Sequence, residues 1–251
     1  MNKYIWKRNF VTGSIHKLIC IPYAGTGASS FGRWQKTIGD KVEILPIQLP
    51  GRENRMDELV KTDFSVVVDE ISTAVLPFIE NCNFSIFGHS LGGILTYEVA
   101  KKLISKHGLY PCWCFISGSY IYREGEKKYL SRLDDESFIE EIKNIGGVDE
   151  SILSISNMKQ YFLNVVKNDF KLLESHHLEG EKQLPVPIRT YFGTMDRLIS
   201  PEQVATWKEY TSKHYSTKQY EGNHFFLTEH VNEICADILD ILKLDHGGRQ
   251  K

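Results

Sequence analysis

The chain has 251 residues, with 30 Lys and Arg against 32 Asp and Glu, for a net charge of −2. That balance leaves no basic excess for nucleic acid and no acidic tail. With 41% hydrophobic and 25% charged residues the composition is globular, which excludes disordered and fibrous classes. At about 150 residues per domain, one larger domain over 1–251 is expected. No apolar run reaches the roughly 18 residues that would span a bilayer. Residues 1–10 set Lys3, Lys7 and Arg8 among aromatics and lack the apolar core of a signal peptide. The five cysteines (Cys20, Cys82, Cys112, Cys114 and Cys235) show no CxxC pair and no zinc-ligand spacing. They read as reduced thiols of a cytoplasmic protein.

In chain order, short apolar runs at 17–22, 42–48, 84–88, 112–118, 188–193 and 216–220 read as strands. Most are nearly continuous in apolar character, as strands buried on both faces should be. Phe64, Val67, Val68, Ile71, Val75, Phe78 and Ile79 carry the spacing of one buried helix face. Ile94, Leu95, Val99, Leu103 and Ile104 repeat it, with Gly108 as C-cap. A last helix is expected over 226–242. Strand alternating with helix predicts an α/β protein whose central, mostly parallel sheet is flanked by helices.

One stretch breaks the alternation. Residues 120–181 hold no convincing strand, only helical patterns at 137–145 and 158–173 punctuated by Gly146-Gly147. A helical insertion between two strands is expected to form a lid over the carboxyl edge, where ligands of such sheets bind. The tail at 245–251 is polar and expected to be mobile.

The strongest local signal is Gly88-His89-Ser90-Leu91-Gly92-Gly93, between the strand at 84–88 and the helix that begins near Ile94. It is G-x-S-x-G in a strand–turn–helix context. The turn is too tight for side chains, hence the glycines, and it presents the Ser90 hydroxyl at the strand end. A serine hydroxyl needs a base. His224 follows the last strand, where the order Ser, acid, His requires the base. His89, next to the nucleophile, reads as shaping the elbow, and His176 and His177 lie in the insertion. The acid is expected after an intervening strand; Asp196 fits, with Glu221 and Asp169 as rivals. For the oxyanion, the N–H of Leu91 supplies one donor, and the loop Pro22-Tyr23-Ala24-Gly25-Thr26-Gly27 supplies the other. Ala24 is the first choice and Tyr23 the second. This loop is no phosphate cradle, since it lacks G-x-x-x-x-G-K-[ST].

Four segments together resemble the type II, stand-alone thioesterases of nonribosomal peptide and polyketide synthesis, members of the α/β-hydrolase superfamily. They are Pro22-Tyr23-Ala24-Gly25, Gln48-Leu49-Pro50-Gly51-Arg52-Glu53-x-Arg55, the Ser90 hexapeptide, and Gly222-Asn223-His224-Phe225-Phe226-Leu227. The L-P-G-R-E-x-R segment discriminates, since most esterases and lipases lack it. Phe162 to Leu173 also looks like this family's lid. The resemblance, covering about 17–242, implies a serine hydrolase that frees acyl groups from the 4′-phosphopantetheine arm of acyl or peptidyl carrier proteins. It would clear mis-primed or stalled units, or release intermediates, during antibiotic biosynthesis.

By motif, Ser90, Asp196 and His224 match the family's catalytic residues, and Leu91 and Ala24 its oxyanion hole. Tyr23, His89 and Phe225 are expected to touch substrate. No cofactor and no metal is implied, and the carrier domains are transient partners; no nucleic acid and no membrane is expected, and the chain should be monomeric. Three positions depart from the family pattern: Asn223 for Gly, Thr26 for Gly and Leu91 for Met. Asn223 tolerates a left-handed backbone. Arg52, Glu53 and Arg55 read as charge pairs that pin a loop rather than as substrate contacts. The rivals are a small-molecule carboxylesterase or lipase, an acyltransferase with the same triad, and a noncatalytic partner protein on the same fold.

Overall fold

A computed structural model describes residues 3–6, 11, 13–122, 129–146, 150–178 and 180–243. The expectations for the N-terminal ten residues and the 245–251 tail thus fall largely or wholly outside the described residues. Six strands alternate with helices: β1 (His16–Ile21), α1 (Trp34–Ile38), β2 (Val42–Pro46), α2 (Phe64–Ile79), β3 (Asn83–His89), α3 (Leu91–His107) and β4 (Cys114–Ser117). Three helices follow before the next strand: α4 (Asp135–Ile145), α5 (Glu150–Ser154) and α6 (Ser156–Glu174). The chain then closes with β5 (Ile188–Gly193), α7 (Pro201–Ala205), β6 (Tyr215–Tyr220) and α8 (Val231–Ile241).

The strands form one sheet in the order β2-β1-β3-β4-β5-β6, and every neighbouring pair is parallel. β1, β2 and β4 are buried almost throughout, because helices cover both faces. α2 and α3 pack on one face around Ile19, Ile71, Val75, Ile86, Leu95 and Val99. α1 and α8 cover the other around Leu18, Trp34, Phe87, Phe115, Ile234 and Ile238. A parallel sheet brings all its strand ends of one polarity to one edge. The residues that follow β1, β3, β5 and β6 therefore meet there.

Local chemistry sets the element ends. The Asp63 carboxylate accepts the Val66 N–H (3.1 Å) and caps α2. Gly108 ends α3 in the left-handed conformation (φ 64°), as expected of a C-cap. Ser200 and Gln203 form a reciprocal capping box at α7, with Pro201 in the first turn.

Some boundaries differ from the sequence reading. The last helix is split: Phe226–Thr228 is a separate 3₁₀ turn, and α8 starts at Val231. The turn buries Phe226 and Leu227, which makes the apolar pattern run through a break in the backbone. The strand expected over 112–118 is only Cys114–Ser117. The short helices α1 and α5 carry too few turns for a periodic signal.

The segment between β4 and β5 has its own small core of Phe138, Ile142, Ile145, Leu163 and Val166. Among the described residues no helix is long and apolar enough to cross a membrane. All five cysteines are free thiols.

Candidate active site

Ser90 sits between β3 and α3 with φ 53° and ψ −116°, a strained geometry for a side chain other than glycine. Backbone packing enforces it. The Ser90 N–H donates to the Ser117 carbonyl (2.8 Å) and the Gly93 N–H to the Ser90 carbonyl (2.9 Å). A Cβ on Gly88 would overlap the Gly92 carbonyl, and one on Gly92 would overlap the Ile21 carbonyl. The glycines are there because strand and helix backbones touch.

His224 lies after β6 and is 2% exposed. Its Nδ1 pairs with Asp196 Oδ2 at 2.7 Å. The Asp196 side chain is fully buried, and its Oδ1 accepts the Leu198 N–H (2.8 Å). The His224 Nε2 is buried and bonds to no described residue. His224 and Ser90 line the same cavity of about 70 Å³. Of the rival acids, Glu221 is exposed, and Asp169 is bonded to Arg52 and Gly25 rather than to a histidine.

The loop after β1 forms another wall of the cavity, with Tyr23, Ala24, Gly25 and Thr26. The Thr26 N–H closes the turn onto the Tyr23 carbonyl (3.2 Å), and its hydroxyl bonds the same oxygen (3.0 Å). The Gly25 N–H donates to Asp169 Oδ2 (2.8 Å). Among the described residues the Ala24 and Leu91 N–H groups have no acceptor. Leu91 opens α3, where an N–H lacks an intrahelical partner. The remaining wall is apolar: Ile142 and Ile145 of α4, Phe162, Val166 and Phe170 of α6, then Leu198 and Phe225.

Tyr23 and Phe225 line the cavity, with ring centroids 5.3 Å apart. His89 does not, which corrects its assignment as a substrate contact. It is fully buried, and its Nδ1 bonds the Ser117 hydroxyl (2.9 Å). Its ring packs against Tyr23, His224, Phe225 and Phe226. Burial, and then the neighbouring His224, push its pKa well below the usual histidine value. This buried ring packs 5.0 Å from the His224 ring. The left-handed residue of this loop is Gly222 (φ 129°), while the Asn223 Oδ1 accepts the Phe225 N–H (2.8 Å).

The charged residues after β2 are bound internally, in line with pinning. Arg52 forms a two-pronged pair with Asp169 (2.6 and 2.7 Å). Glu53 accepts from the Ser29 N–H (3.2 Å) and hydroxyl (2.5 Å). Arg55 pairs with Glu58 (2.6 Å) and the Gln48 carbonyl (2.8 Å), over the Tyr4 ring. His176 is buried, pairs with Glu98 (2.9 Å) and packs on Phe64; His177 is exposed. Sequence reasoning missed the Asp169–Arg52 contact. The two residues are 117 positions apart, and Asp169 lies in a helix pattern of mixed charge. Among the described residues no cluster of three or more His, Cys, Asp or Glu could hold a metal ion.

Sheet order and the strand–serine–helix junction define the class, an α/β-hydrolase. The chain belongs to the thioesterase domain family, whose model matches residues 16–242. Membership brings hydrolase chemistry on thioesters. The chain is 31% identical to the gramicidin S biosynthesis protein GrsT of Aneurinibacillus migulanus over 97% of its own length and 95% of that protein. It is 30% identical to the thioesterase PikA5 of Streptomyces venezuelae, over 97% and 87% of the two chains. The solved structure of the RedJ thioesterase from the prodiginine biosynthetic pathway in Streptomyces coelicolor superposes with a TM-score of 0.84. The identity is 28%, over 92% of this chain and 88% of that one.

Proposed function

We propose that this thioesterase hydrolyses acyl groups held on the phosphopantetheine arm of carrier-protein domains, and so clears mis-primed or stalled units from a synthase. One observation carries the reading. Ser90 at a strained elbow shares an apolar cavity with a buried His224 whose far nitrogen is held by Asp196. The relatives' printed names, among them a gramicidin S biosynthesis protein and a prodiginine pathway thioesterase, support the setting.

In this mechanism Ser90 Oγ attacks the thioester carbonyl while His224 Nε2 takes its proton. Asp196 fixes the tautomer that leaves Nε2 free and stabilises the imidazolium. The oxyanion accepts hydrogen bonds from the Leu91 and Ala24 N–H groups. The tetrahedral intermediate collapses, the C–S bond breaks, and His224 protonates the departing thiolate sulfur. Water, deprotonated by His224, hydrolyses the acyl–Ser90 ester and restores the serine. Tyr23 and Phe225 contact the acyl group or arm. No cofactor or metal takes part. The helices between residues 120 and 181 act as a lid on a single domain, and the carrier docks transiently at its rim. The enzyme works as a monomer in the cytoplasm.

Mass spectrometry tests the reading. On brief exposure to an acyl carrier protein, the peptide that contains Ser90 should gain the mass of the acyl group, and Ser90→Ala should gain nothing. Acyl mass on another residue, or none while hydrolysis proceeds, contradicts it.

A further inference from the structure

Asp169 is a carboxylate with no exposed surface, carried by α6 in the helical insertion, yet among the described residues its oxygens bond to nothing there. Its Oδ1 takes Arg52 Nη2 (2.7 Å), and its Oδ2 takes both Arg52 Nη1 (2.6 Å) and the Gly25 N–H (2.8 Å). Arg52 Nη1 also reaches the Thr26 carbonyl (3.2 Å). The turn from Tyr23 to Thr26 is thus gripped at three points: Thr26 N–H on the Tyr23 carbonyl, Gly25 N–H on Asp169, and the Thr26 carbonyl on Arg52. Two of the three run through the buried pair.

Gly25 has φ 81°, and a Cβ there would come within 2.8 Å of Val166 Cγ2, so α6 lies directly against the turn. Holding the Gly25 N–H fixes the peptide plane between Ala24 and Gly25. Together with the Tyr23–Thr26 bond, that sets where the Ala24 N–H points. A buried pair is weak evidence for stability by itself, because desolvation offsets most of its attraction. A pair whose second acceptor bond lands on the loop beside Ala24 has a geometric consequence.

We propose that Asp169, through Gly25 and Arg52, is a positioning residue that ties the helical insertion to the oxyanion loop, so that the Ala24 donor is in place only when α6 is seated. This rests on the reading of Ala24 as an oxyanion donor. An unseated α6 leaves Ser90, His224 and Asp196 intact but slows the step in which the oxyanion forms.

The test compares wild type with Asp169→Asn and Arg52→Lys. The first keeps volume and one acceptor oxygen; the second keeps a cation but loses the fork. Substrates are an acyl-pantetheine thioester and a p-nitrophenyl ester of the same acid. Rates are counted per Ser90 that a fluorophosphonate labels at completion, which removes unfolded protein from the comparison. Displacing one oxyanion donor should lower kcat about ten- to a hundredfold and leave KM within about threefold. A trifluoromethyl ketone analogue, whose Ser90 adduct carries the oxyanion, should lose affinity in parallel.

Variants that melt earlier but keep wild-type kcat per labelled site and wild-type ketone affinity overturn the proposal and leave a structural ion pair. A wild type that cleaves these small substrates but not carrier-bound acyl groups refutes the carrier reading alone. The Asp169 comparison then still stands on the small substrates.

Discussion

The two sides of the cavity are built differently. On one side, the junction of β3 and α3 is held by main chain against main chain: Gly88 against Gly92, Gly92 against Ile21, and the Ser90 N–H on Ser117. On the other, α4 and α6 close a small core of their own and reach the rest of the fold through side chains. These contacts include Asp169 on Arg52 and Gly25, Val166 on Gly25, the Tyr161 hydroxyl on the Gly51 carbonyl (3.3 Å), and Leu172 in the core under α2 and α3. Ser90 stands on the side held backbone to backbone. The apolar wall of the cavity stands on the side that is docked. A strained residue needs a frame that over-determines its backbone, whereas side-chain docking leaves a wall easier to move.

That contrast can be broken most severely at the chemistry. Ser90→Ala should lower kcat by about 10⁴-fold or more with no loss of thermal stability, measured by thioester hydrolysis and a melting curve. Retained activity would remove Ser90 from the mechanism. Next comes the frame. Gly92→Ala places a methyl group into the Ile21 carbonyl, so the backbone must move. We expect a loss of about 3 kcal/mol or more in chemical denaturation, with activity falling alongside. A stable, active variant would show that the elbow yields after all.

The docked wall should respond in selectivity instead. Phe162→Ala enlarges the cavity beside Gly25 and should raise kcat/KM for longer acyl thioesters relative to short ones, by about tenfold. Melting should fall only modestly, since Phe162 is half-buried. An unchanged chain-length profile would place the acyl group elsewhere.

The smallest effect on activity lies away from both walls and serves as a control. His16, buried at the start of β1 and bonded to Ser85 (2.9 Å), has its pKa lowered by burial to about 4. Below the ordinary histidine pKa the unfolded chain binds a proton that the fold rejects. Stability should therefore fall as pH drops through about 6.5 and level off near 4, by about 3 kcal/mol at most. His16→Gln should flatten that acid slope without changing kcat at neutral pH, and an identical slope in both proteins would contradict it.

The sequence revealed the rigid side far better than the docked one, for a physical reason. Gly88, Ser90 and Gly92 fall within five residues, so their spacing is visible as a motif, although Gly92 packs on Ile21 and Ser90 bonds Ser117. His224 and Asp196 follow from chain order, because a parallel sheet sends both loops to one edge. Asp169 is different: its partners are 117 and 144 positions away, and no local period marks a helix residue as a long-range ligand of a loop. His89 misled because neighbours along a strand end point to opposite faces, so adjacency to Ser90 placed it beneath the cavity rather than in it. The break between Thr228 and Val231 was hidden because Phe226 and Leu227 keep the apolar rhythm of the helix that follows.

The proposed substrates of this site are carrier-bound thioesters. The direct measurement is kcat/KM for an acyl-phosphopantetheinyl carrier protein against the same acyl group as a simple ester, with wild type and Ser90→Ala side by side. We expect a strong preference for the carrier that vanishes in the variant. Equal or faster hydrolysis of the simple ester by the wild type would contradict the account and make the protein a general esterase on a thioesterase fold.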